Sequence, residues 1–84
     1  MEEYKIERIK TAINNLCIVY FNYMCGYQPE KAIDVFNEIV EFYIKFDQKG
    51  YTELSEHTKY KLDWLIKDKR TDPYYLSRLI DVKI

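Results

Sequence analysis

The sequence predicts an all-α fold, a compact bundle of about four helices in one domain over residues 1–84, with a long first helix central. Three observations carry this expectation. Apolar residues recur at spacings of three and four, which is the period of a helix face and not of a strand. The two prolines and two glycines fall between these periodic runs, where helix punctuation belongs. Finally, 84 residues with 48% hydrophobic and 32% charged side chains are too few for a second core and too apolar for disorder.

In the first predicted helix, Glu2 to Cys25, the residues Ile6, Ile9, Ile13, Leu16, Tyr20 and Tyr23 keep a 3-4-3-4-3 spacing. Glu2, Glu3 and Glu7 suit the positive end of its dipole, and Gly26 is expected to close it in the left-handed conformation. Between Leu16 and Met24 only Asn22 interrupts the apolar character, so this helix is expected to be enclosed on several sides or to meet a partner chain.

Pro29 suits the first turn of a second helix, whose stripe is Ala32, Phe36, Ile39, Tyr43 and Phe46 and whose stop is Gly50. Val40 to Phe46 also alternates in part as a strand would. The distance from Pro29 to Gly50 is far longer than an average strand and favours helix. A third helix, capped by Thr52 or Ser55, buries Leu54, Leu62, Leu65 and Ile66, with Trp64 at its border. Thr71-Asp72-Pro73 then reads as turn, N-cap and first position of a short fourth helix carrying Leu76, Leu79 and Ile80. Ile13, Leu16, Phe36, Ile39 and Leu65 are the expected core.

Most catalytic and cofactor chemistry is missing from this inventory. Cys17, Cys25 and His57 fall short of four zinc ligands and show no metal spacing, so no metal and no cofactor is expected. The two cysteines lie eight apart on one helix, about 12 Å and beyond disulfide reach, and are read as structural. Cys17 sits in the most apolar run and Cys25 at a helix C-terminus, both unfavourable for a thiolate nucleophile. His57, among polar neighbours, is read as exposed and titrating near neutrality. Two isolated glycines make no phosphate loop. The expectation is a protein that is not an enzyme. Unpaired cysteines, no signal-like start and no apolar run longer than Leu16 to Phe21 suggest a cytoplasmic location with no membrane association. Ten Ile, ten Lys and nine Tyr against two Ala, Gly and Pro suggest a low-GC genome.

Two functional readings remain. Nine tyrosines exceed what a small helical core buries with every hydroxyl satisfied. Tyr and Trp dominate protein interfaces. Tyr20, Tyr23, Tyr27, Tyr60, Trp64, Tyr74 and Tyr75 are therefore candidate contacts for another protein. On this reading the chain is an inhibitor, adaptor or regulatory subunit, expected to be a homodimer with the first helix at or beside the interface. The alternative is a DNA-binding regulator. Residues 1–58 carry 6 basic and 10 acidic side chains, residues 59–84 carry 7 and 4. Lys59, Lys61, Lys67, Lys69, Arg70 and Arg78 in a helix-turn-helix-like segment at 59–83 are its candidate contacts. An overall pI near 5.8 and the absence of Asn or Gln in the last helix weigh against nucleic acid.

Overall fold

The computed structural model describes residues 2–75, omitting the side chain of Tyr75. Three α-helices form an all-α bundle, α1 (Glu3–Cys25), α2 (Pro29–Gln48) and α3 (Thr52–Lys67), followed by a 3-10 turn at Pro73–Tyr75. The described residues contain no strand. The sequence predicted four helices. Of the expected fourth, the described part is the 3-10 turn, and Leu76, Leu79 and Ile80 lie outside the described residues. Its start is as expected, with the Asp72 carboxylate accepting the Tyr74 N–H at 2.9 Å ahead of Pro73.

α1 and α2 end in the same way. After α2, the Tyr51 N–H reaches the Phe46 carbonyl and the Gly50 N–H that of Asp47, a Schellman motif with Gly50 at φ +75°. After α1, the Gln28 N–H reaches Tyr23 and the Tyr27 N–H reaches Met24. Here the left-handed residue is Tyr27, at φ +61°, and Gly26 sits one position too early at φ −86°. A Cβ on Gly26 would lie 2.9 Å from the Asn22 carbonyl oxygen, so close approach accounts for that glycine. Pro29 opens α2 as expected, whereas neither Thr52 nor Ser55 caps α3: Tyr51 holds that position with no side-chain hydrogen bond.

The core joins Ile13, Cys17, Tyr20, Phe21 and Met24 of α1 to Ala32, Phe36, Ile39 and Val40 of α2 and Leu62 and Leu65 of α3. Four of the five expected core residues are in it. Leu16 is only half-buried, because the inward face of α1 runs through Ile13, Cys17, Tyr20 and Met24, a stripe of the same three-and-four spacing that lies to one side of Leu16. The central helix is α2, which packs broadly against both neighbours, while α1 and α3 meet more narrowly. α1 is not enclosed: Ile18 is 58% exposed, and Val19 faces solvent in part. Nor does α1 protrude, since the bundle itself measures 39 × 22 × 18 Å and is elongated along its helices.

Candidate protein interface

Short connections make α2 antiparallel to both neighbours, so the C-terminal ends of α1 and α3 share one end of the bundle. There the chain leaving α3 folds back onto α1. The Asp68 carboxylate accepts two hydrogen bonds from the Arg70 guanidinium, at 2.9 and 3.1 Å, and one from the Arg70 N–H at 2.9 Å. These bonds hold the Asp68 carboxyl down at about 2. The guanidinium then lies 3.6 Å from the Phe21 ring centre and 5.8 Å from that of Trp64. Phe21 and Trp64 meet edge to face at 5.2 Å, and the Lys61 ammonium lies 4.9 Å from the indole.

One residue further on, Thr71 is buried. Its hydroxyl lies 2.6 Å from the Leu65 carbonyl oxygen and 2.8 Å from the Tyr20 hydroxyl. Only one proton sits on each hydroxyl, so Thr71 donates to Leu65 and Tyr20 donates to Thr71. The bond satisfies a carbonyl in the last turn of α3, beyond the reach of the helix's own N–H groups. Burial pushes the Tyr20 phenol pKa up.

Trp64 thus stands as an indole braced on one side and 38% exposed, with Tyr60 69% exposed one turn before it on α3. Tyr27 (93%) and Tyr74 are more exposed still, while Tyr75 is described only as the last residue of the 3-10 turn. Two candidate contacts differ from expectation. Tyr20 is fully buried, because the inward face of α1 runs through it, and it cannot meet a partner. Tyr23 is half-buried, with the Lys31 ammonium 5.7 Å from its ring centre.

The basic residues are less well gathered. Lys59 and Lys61 are separated by about 200° around α3, and Lys67 stands about 80° from Lys59. Arg70 is committed to Asp68, Phe21 and Trp64; Lys69 is exposed in the turn; Arg78 lies outside the described residues. No protein-family model, curated protein or solved structure matches the chain.

Residues that the tyrosine-led reading missed line a second surface. Between α1 and α2, on the side away from α3, Ile9, Ala12, Leu16, Glu38 and Phe42 border an open groove of about 450 Å³. The apolar stretch from Leu16 to Met24, broken only by Asn22, was the signal for its Leu16 end. A helix with more apolar residues than one face can hold must leave some of them outside.

Other chemistry is sparse. Cys17 is buried, which pushes its thiol pKa up, while Cys25, read from the sequence as structural, is exposed. His57 is half-buried, not exposed, with Nε2 3.2 Å from Asn14 Oδ1; burial, with Lys61 and Lys10 nearby, pushes its pKa down. Among the described residues no three His, Cys, Asp or Glu side chains converge on a metal position. No described helix is long and apolar enough to cross a membrane.

Proposed function

We propose that this is a non-enzymatic protein-binding protein, an inhibitor, adaptor or regulatory subunit, whose partner docks on the α3 face carrying Tyr60 and Trp64. The observation that supports this most is the bracing of Trp64. Phe21, Arg70 and Lys61 fix the indole while part of it stays in solvent. An aromatic already held in one rotamer loses little entropy on binding, which is the character of an interface hot spot. Tyr60 extends the same face by one turn. Tyr27 adds a second indication, because its ring is almost wholly exposed on a strained backbone and contributes nothing to the core.

The test is affinity capture from cells that naturally make the protein, comparing wild type with a Tyr60→Ala, Trp64→Ala double variant. The expected result is one protein retained by wild type and lost, or reduced at least tenfold, with the variant. Equal retention by both chains sinks this reading of the face. Binding of mixed-sequence duplex at low salt, with affinity falling steeply as salt rises, would return the chain to the nucleic-acid class.

A further inference from the structure

We infer that the α1–α2 face opposite α3 is a self-association surface, occupied by a second copy of this chain in a two-fold antiparallel arrangement. Ile9, Ala12, Leu16, Val19 and Tyr23 follow one another along α1 at spacings of three, four, three and four. That is the seam of a helix packed along a near-parallel or antiparallel neighbour. None of the five is fully buried within the chain, and Phe42 of α2 borders the same groove with part of its ring in solvent. The small Ala12 beside the large Leu16 allows a neighbouring backbone to come close.

The charges around this seam decide between a second copy and an unrelated partner. At the Ile9 end basic groups outnumber acidic ones: Lys5 and Arg8 border Ile9 and Ala12, Lys45 lies one turn beyond Phe42, and Glu2 stands one turn before Lys5. Toward the Tyr23 end it is acidic, with Glu38 beside Leu16 and Asp34 one turn further along α2. Lys31 at that end is taken up over the Tyr23 ring, and Glu41 stands one turn from Lys45 near the middle. A surface basic at one end and acidic at the other is complementary to itself when a copy is turned end for end.

A two-fold axis crossing α1 between Ala12 and Leu16 sets Ala12 against the partner subunit's Leu16 and Ile9 against the partner subunit's Val19. The same axis brings Asp34 level with the partner subunit's Lys45. The inference is independent of the Trp64 face, which this arrangement leaves open.

Sedimentation equilibrium on the full chain decides, run up to about 100 μM, where an interface of micromolar affinity is nearly saturated. The expected mass is twice 10.3 kDa. Asp34→Lys and Lys45→Asp are each expected to weaken association about tenfold, and the double swap to restore it, because it recreates the pair with its signs exchanged. Both residues are exposed in the monomer, so neither change threatens the fold. Leu16→Glu is expected to give a monomer that keeps its helical circular dichroism. A wild-type mass near 10.3 kDa over the whole range overturns the inference, as does a double swap no tighter than the single variants.

Discussion

The Tyr20 hydroxyl donates to the Thr71 hydroxyl across 51 residues of sequence, at 2.8 Å in the interior, and Thr71 hands its own proton to Leu65. The two partners are unequal in this relay. Tyr20→Phe removes one donor and leaves the Thr71–Leu65 bond intact, so about 1 kcal/mol of stability should be lost. Thr71→Val strands both the Tyr20 hydroxyl and the Leu65 carbonyl and should cost more, about 1–3 kcal/mol. Urea unfolding of the two variants measures the difference.

Trp64 is the chain's one tryptophan, so its fluorescence reports on the Arg70 brace without a label. The Asp68 carboxyl is lowered from 3.8 to about 2, first by the Arg70 side-chain hydrogen bonds. A depressed carboxyl stabilises the folded turn above its unfolded value, and that stabilisation disappears as pH falls from 3.8 towards 2. Trp64 emission should therefore change over this interval. Asp68→Asn should show the acid-form emission at neutral pH and no such transition.

His57 is the single histidine, and its pKa lies below the usual 6.5 because of burial and two nearby lysines. Below 6.5 the unfolded chain takes up the proton more readily than the folded one. Acidification from about pH 7 to pH 5 should thus lower the melting temperature. The ring resonance of His57 should titrate below 6.5 by NMR, and His57→Gln should remove its part of the slope.

Tyr27 occupies the backbone position that Gly50 fills in the equivalent motif after α2. A left-handed conformation costs a non-glycine residue about 1–2 kcal/mol. Its ring recovers none of this in the monomer. Tyr27→Gly should raise stability by about 1 kcal/mol in thermal or urea unfolding, slightly offset by the greater freedom of glycine in the unfolded chain.

The punctuation of this fold was legible residue by residue, and its packing angles were not. Pro29, Gly50 and Asp72 act where their local chemistry places them, because each effect spans only a few residues. Gly26 misled because a glycine can be required by close approach as well as by a left-handed backbone, and only coordinates separate the two. In α1 a 3-4 rhythm runs along two stripes at once, so periodicity could not say that Cys17 points inward and Leu16 sideways. Trp64 was picked out from residue type and its border position. Its bracing by Phe21 and Arg70 depends on the chain reversing at Asp68, for which Asp-Lys-Arg gave no distinctive signal.

The short connections at 26–28 and 49–51 also bear on the order in which the molecule assembles. Helices adjacent in sequence meet after closing only a small loop, so the two helical hairpins need little search, and bundles of this kind fold in about microseconds to milliseconds. The turn at Asp68 to Thr71 is different: it reaches back to Phe21 and Tyr20 and can seat only once α1 and α3 are already side by side. The turn is therefore expected to fasten after the rate-limiting step, as a catch. Tyr20→Phe, which removes only the hydroxyl, and changes at Arg70 or Thr71 should leave the folding rate nearly unchanged and accelerate unfolding, so this turn sets how long the bundle stays shut.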